Sequence, residues 1–157
     1  MQNPGAAGTP IDLQTLQECC NKVYGKNAQA GYEEANNALT QFRNRDDAWT
    51  FVPKLIDETQ FATAKFFGIQ IFSDLVTYRW DWLEAQTKED IRTFVVQHVV
   101  DWSQSENPIP EYLINQMDSL LVKIILRDWP QQWPSVVEDL ISSAASNYSL
   151  CINNLKI

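Results

Sequence analysis

Few residues in this chain are of the types that carry enzymatic or metal chemistry. Its 157 residues include one histidine, His98, and three cysteines, of which Cys19 and Cys20 are adjacent and Cys151 is far away. A zinc site needs four nitrogen or sulfur ligands at suitable spacing, and no CxxC or HExxH pattern supplies them. The glycine motifs of nucleotide-binding proteins and serine hydrolases are also missing from the sequence. We therefore predict no catalytic residue, no metal site and no cofactor.

The remaining titratable residues have structural explanations. His98 falls on the apolar side of its predicted helix, beside Val95 and Val99, where a packed and hydrogen-bonded histidine is the more common case. Two pairs of adjacent carboxylates, Glu33–Glu34 and Asp46–Asp47, are typical of helix caps and solvated helix faces. Neither observation points to acid–base catalysis.

Two polar stripes on otherwise apolar helices are the main candidates for function. At 100° per residue the first stripe spans about 60° of its helix. It contains Thr63, Gln70, Asp74 and Thr77. The second stripe contains Gln116, Ser119, Lys123 and Arg127. Such a stripe is either a simple solvated face or a surface that meets a partner, and the pattern alone leaves both open.

The elements that carry these stripes are helices. Apolar residues make up 45% of the chain, glycine is rare, and each proline lies near a predicted helix boundary. Asp12 is the predicted N-cap of the first helix and Gly25 its end. The third helix is capped by Asp46 or Asp47 and either starts late or bends at Pro53. The other helices are predicted at about 28–43, 63–80, 111–128, 135–145 and 150–157, with a fifth that opens at a capping box on Thr87 and reaches Trp102.

A pair of Trp-Pro dipeptides marks a sharp corner between two of these helices. Proline excludes the α conformation from the residue before it, so Trp129-Pro130 ends the helix at 111–128. Pro134 suits the first turn of the next helix. Trp129 and Trp133 are expected to fill the wedge between the two helices, a corner that any helical bundle could also use. The residues assigned a structural role are Trp49, Gly68, Trp80, Trp129, Pro130, Trp133 and Pro134, with Gly68 allowing a close approach between helices.

Helix pairs recur with a period of roughly 35–45 residues, which is the range of HEAT-type repeats. The predicted fold class is therefore all-α, a right-handed α-α superhelix (HEAT-repeat solenoid) of about three and a half helix pairs. The predicted repeats are 11–45, 46–82, 86–129 and a truncated 134–157, which suggests a fragment of a longer solenoid. Residues 1–10 are expected to be disordered, either as a native tail or as an expression remnant.

Charge and hydropathy exclude some partners. The net charge is −8, which argues against direct nucleic-acid binding because phosphates require concentrated lysine and arginine. No run approaches the ~20 apolar residues of a membrane span, and the N-terminus does not read as a secretory signal. The cysteine usage favours reduced thiols in a cytosolic or nuclear protein.

Five sequence blocks resemble the N-terminal domain of the importin-β (karyopherin) family, and within it the nuclear export receptors. They occur in the same order and at similar spacing as in that family. The blocks are DAWT at 47–50, TAKFFGIQI at 63–71, YRW at 78–80, IILRDWPQQWP at 124–134 and SLCINN at 149–154.

This resemblance implies HEAT repeats that bind the GTP form of the GTPase Ran through the concave face formed by the second helix of each pair. The nominated Ran-binding residues are Lys65, Gln70, Asp74, Thr77, Gln116, Lys123 and Arg127. Lys65 lies outside the polar stripe but inside a family block, so it is either a lysine at the edge of the core or a partner contact.

Export cargo with leucine-rich signals and nucleoporins are expected to bind later repeats, and the protein is expected to shuttle between nucleus and cytoplasm. The alternative hypothesis is a stand-alone helical scaffold or adaptor that binds a protein or peptide.

Overall fold

The computed structural model describes residues 11–26 and 30–146, and none of these lies in a strand. Seven α-helices fall within this part of the chain, and short 3-10 turns at Ala48–Phe51 and Trp80–Trp82 precede α3 and α5. The helices are α1 (Leu13–Tyr24), α2 (Tyr32–Arg43), α3 (Val52–Asp57), α4 (Ala62–Tyr78), α5 (Ala85–Gln104), α6 (Glu111–Asp128) and α7 (Val136–Ser146). The predictions for residues 1–10, for the helix start at 28 and for the helix at 150–157 lie outside the described residues.

Helix α1 begins and ends where its caps were predicted. The side chain of Asp12 accepts a hydrogen bond of 2.7 Å from the backbone N–H of Thr15, and this bond lowers the pKa of the carboxyl. At the other end the N–H of Gly25 donates to the carbonyl of Asn21 at 3.0 Å. Both cap predictions are confirmed.

The second helix was predicted from about residue 28, and the described residues 30 and 31 form a turn instead. Gly31 has a φ of +84°, a left-handed conformation that cannot continue a right-handed helix, and α2 begins immediately after it at Tyr32. Gly31, just before the first helical residue, was therefore the decisive signal in the sequence.

The third helix starts late, which was one of the two predicted alternatives. Residues 48–51 form a 3-10 turn, and α3 begins at Val52 with Pro53 in its first turn, where a missing N–H costs nothing. The Asp47 carboxylate binds the guanidinium of Arg45 at 2.7 and 2.8 Å instead of a helix N–H, so the alternative of an Asp47 side-chain cap is wrong.

Two further helix starts differ from prediction. Helix α5 begins at Ala85, after Glu84 in an extended conformation, so the predicted capping box at Thr87 is wrong and Thr87 lies in the first turn. Leu83, which ends the 3-10 turn, has an extended backbone, so the helix can begin at Ala85 and not at the predicted Thr87. Helix α7 begins at Val136, so Pro134 belongs to the preceding turn and not to the helix, contrary to prediction.

The chain forms two compact units, Met1–Gly68 and Ile69–Ile157. In the first unit α1 packs against α2 and α3. A Cβ atom added at Gly68 would lie 3.3 Å from atoms of Leu55 and Ile56, so this glycine allows α4 to approach α3 closely, as predicted. Cys20 is buried in this core, and burial raises the pKa of its thiol to about 12.

In the second unit α5 packs against α6. Its core consists of side chains from both helices and from α4. The largest fully buried ones are Ile69, Phe72, Trp80, Leu113, Met117, Leu120 and Leu121.

Candidate partner-binding face

The two predicted polar stripes meet in the second unit, where α4 and α6 are joined by polar side chains. Gln70 Nε2 donates to Gln116 Oε1 at 3.1 Å. Three residues further along α4, the hydroxyl of Ser73 accepts a hydrogen bond from Lys123 Nζ. Arg127 then donates to the carbonyl of Thr77 and lies 3.3 Å from the carboxylate of Asp81. We call this set the polar seam; its members are Gln70, Ser73, Thr77, Asp81, Gln116, Lys123 and Arg127.

The sequence places the polar seam at the edge of the core. Its members recur three, four or seven residues apart on each helix, so they share one face. Neighbouring positions such as Ile71, Phe72, Leu120 and Ile124 are buried. The seam therefore covers the boundary between the packed interior and solvent.

Exposure increases along the polar seam toward its arginine end. Gln70, Ser73 and Gln116 are half-buried, whereas Thr77 and Lys123 are exposed. The side chains of Arg127 and Asp81 are 39% and 70% exposed. Two cations one helical turn apart thus lie on the solvent side, each already fixed to α4 or to the turn after it.

Not every nominated residue joins the polar seam. Asp74 lies half-buried on α4, and the exposed Ser119 hydroxyl bonds to the carbonyl of Asn115 within its own helix at 2.8 Å. Thr63 belongs to the first unit, where its hydroxyl bonds to the side chain of Asn21. The predicted stripe on α4 is therefore divided between the two units.

Lys65 also lies in the first unit and has an internal role. Its Nζ donates to the carbonyl of Ile56, close to the C-terminal end of α3. Burial lowers the pKa of the amine, and the nearby Asp57 carboxylate partly offsets this. A lysine at a helix C-terminus satisfies a carbonyl that has no partner within the helix. The contact fits the core-edge interpretation, while a partner contact stays a prediction.

A buried ion pair, not foreseen from the sequence, anchors the C-terminal end of α6. Asp128 Oδ1 accepts a hydrogen bond of 2.6 Å from the indole Nε1 of Trp80, and Oδ2 accepts one of 2.8 Å from Arg92 Nε. The Asp128 side chain is fully buried and that of Arg92 is 8% exposed. Both carboxylate oxygens are thus satisfied, as a buried charge requires.

The same ion pair shapes the Trp-Pro corner. The Asp128 carbonyl accepts from the N–H groups of Gln132 and Trp133 at 2.7 and 3.0 Å. Arg92 donates to the Gln132 carbonyl at 3.2 Å and its guanidinium lies 5.6 Å from the centre of the Trp133 ring. Trp133 is buried, but Trp129 is 51% exposed, so the expectation that both tryptophans fill the wedge is wrong for Trp129.

A signal for this network was present in the sequence of α5. Lys88 and Arg92 precede Val95 and Val99 at spacings of four, three and four residues, which puts both charges on the face that becomes buried. A cation on a core face needs an acceptor, and Lys88 finds the side-chain oxygen of Gln132 at 3.2 Å. Which acceptors the chain supplies was not visible from spacing.

Among the described residues, no group of His, Cys, Asp and Glu is arranged to hold a metal ion. None of the helices in this part of the chain has the length and apolar character needed to cross a membrane.

Comparison with known proteins identifies the family. Residues 35–101 match the importin-β N-terminal domain, and residues 110–157 match the exportin 1-like protein family. The chain belongs to the exportin family. The predicted membership and the predicted all-α, HEAT-type fold class are both confirmed, whereas the individual repeat boundaries stay predictions.

Curated exportins resemble the chain along most of its length. It is 26% identical to Exportin-1 of Schizosaccharomyces pombe over 92% of the chain, and 28% identical to Exportin-1 of Drosophila melanogaster over 94%. Exportin-5 of Mus musculus is 30% identical over 55% of the chain. The chain spans 14% of the length of each Exportin-1 relative, so it corresponds to a small part of those proteins.

Proposed function

We propose that this chain is the N-terminal, Ran-GTP-binding region of a nuclear export receptor that carries proteins with leucine-rich export signals. The observation that carries the proposal is the polar seam of a chain in the exportin family: two cations, Lys123 and Arg127, are held on the solvent side of α6 by bonds to α4. Surface cations fixed in this way suit recognition of another protein because little side-chain entropy is lost on binding.

The nominated residues have different roles in this proposal. Lys123 and Arg127 provide charge, Gln70, Thr77 and Gln116 provide hydrogen bonds at the seam, and Asp74 lies beside it. Lys65 is a separate contact in the first unit. Binding would report the nucleotide because the switch regions of such a GTPase change conformation with the γ-phosphate.

The wider receptor functions belong to the same proposal. Export cargo and nucleoporins would bind parts of a longer chain outside residues 1–157, and the receptor would shuttle between nucleus and cytoplasm. Nucleic acid and membranes would not be direct partners.

The test is to measure the affinity of the full-length protein for Ran loaded with GTP or with GDP. We expect binding to the GTP form, and we expect the double variant Lys123→Glu with Arg127→Glu to weaken it about tenfold or more, because two favourable charges become repulsive. Isothermal titration calorimetry provides both affinities.

A matched control reverses two other exposed lysines, Lys26→Glu with Lys54→Glu, which changes the net charge equally but leaves the seam intact. Equal losses in the two double variants would remove the seam as the binding site. A protein that binds both nucleotide forms alike, or neither, would instead favour the stand-alone scaffold hypothesis.

A further inference from the structure

The arginine of the polar seam already binds a carboxylate of its own chain. Arg127 Nη1 lies 3.3 Å from Asp81 Oδ2, a long distance for a charge-assisted hydrogen bond. Both side chains are substantially exposed, at 39% and 70%. Water competes for an ion pair of this kind, so it contributes little stability and exchanges readily.

The other contacts of Arg127 fix its position independently of Asp81. Its Nη2 donates to the carbonyl of Thr77 at the end of α4. A guanidinium presents several N–H donors in a planar fork and can hold one carbonyl while it binds a carboxylate with the remaining donors. The guanidinium is therefore positioned by a neutral acceptor and satisfied by an exchangeable anion.

Lys123 lies one turn earlier on the same face of α6, and its Nζ is bound to the neutral hydroxyl of Ser73. The charge of this ammonium is therefore not neutralised by that contact. Two adjacent exposed cations, one bound to a hydroxyl and the other to a carbonyl and an exposed carboxylate, form a surface that fits an acidic segment.

We propose that the polar seam binds an Asp- or Glu-bearing segment of its protein partner, and that Asp81 is an internal competitor that the partner carboxylate displaces from Arg127. This inference rests on the proposed Ran-GTP binding and adds the chemistry of the contact. Asp81 thus lowers the affinity of the seam, and its removal strengthens binding.

The test compares Asp81→Asn with Asp101→Asn in the protein as its own gene encodes it, with GTP-loaded Ran as the probe. Asp101 is an exposed residue of α5 whose side chain accepts from Gln97, so its neutralisation removes the same charge away from the seam. We expect Asp81→Asn to lower the Kd about two- to fivefold relative to Asp101→Asn, in line with the small stabilisation of exposed pairs.

A double-mutant cycle with Arg127→Ala makes the result specific. The gain in affinity from Asp81→Asn should vanish when Arg127, the group for which Asp81 competes, has been removed. Equal affinities for the two asparagine variants would overturn the inference while nucleotide-selective binding still supports the proposed function. A gain that persists in the Arg127→Ala background would also overturn it. Absence of any nucleotide-selective binding by the unmodified protein would overturn both proposals.

Discussion

Asp128 links the C-terminal end of α6 to two other elements and to the Trp-Pro corner. Its carboxylate satisfies an indole and a guanidinium from two other elements, and its carbonyl satisfies two N–H groups of the corner. The two side-chain bonds lie in the interior, where an unmet donor is costly because water cannot replace the partner.

Replacing Asp128 with alanine should therefore destabilise the protein strongly. The substitution leaves Arg92 with only the exposed Glu89 carboxylate at 3.1 Å and Trp80 Nε1 without an acceptor, so we expect a loss of about 3–5 kcal/mol in the free energy of unfolding. Urea denaturation followed by circular dichroism measures it. Asp101→Ala, on the surface of α5, is the control and should change stability by less than about 0.5 kcal/mol. A loss below about 1 kcal/mol for Asp128→Ala would contradict the role assigned to the pair.

The contrast between two carboxylates shows what the sequence could reveal at this scale. Asp12 caps a helix through a residue three positions away, so its role follows from local spacing. Asp128 binds Arg92 across 36 residues, and no local rule states which distant groups will meet. The same reasoning explains why both polar stripes were predicted but their contact with each other was not.

At the scale of elements, helix boundaries were predicted correctly where a proline prevents the helix from continuing. Helix α6 has the predicted bounds because Pro110 precedes it and Trp129-Pro130 follows it. The predicted start of α5 was wrong because a 3-10 turn at Trp80–Trp82 is followed after two extended residues by the helix, which begins at Ala85. Short 3-10 segments carry no periodicity of their own, so pattern reasoning misses them.

Gly68 is the element-scale feature most open to a direct test. In Gly68→Ala the new Cβ meets Leu55 Cβ and Ile56 Cγ1 at 3.3 Å, and the former belongs to the base of a packed side chain that cannot rotate away. We expect overpacking of roughly 1–3 kcal/mol to outweigh the ~1 kcal/mol gain in helix propensity. Thermal unfolding of the variant provides the measurement.

Ser119→Ala is a suitable control for that substitution, because it introduces a good helix former at an exposed site of α6. Its stability should stay within about 0.5 kcal/mol of the unmodified protein. A stabilised Gly68→Ala variant would show that the helices can separate to accept a methyl group.

For the molecule as a whole, the net charge of −8 disfavours nucleic acid as a direct partner. Duplex DNA repels an acidic protein unless cations are concentrated on one face, and the exposed cations of the polar seam are few and lie beside Asp74 and Asp81. We expect a Kd for a short DNA duplex weaker than about 0.1 mM at physiological salt. Fluorescence anisotropy with labelled DNA, and a basic DNA-binding protein as positive control, measures it. Saturable binding in the micromolar range would contradict this expectation.

The polar contacts along α6 differ in strength, and this difference has a consequence for binding. A buried ion pair holds the helix at Asp128, whereas half-buried and exposed polar side chains hold the edge that faces α4. An association that breaks the bonds of the polar seam would leave α6 in place, because Leu113, Met117 and Leu121 are fully buried along its length. Binding at this edge would then rearrange surface side chains and not the helix itself.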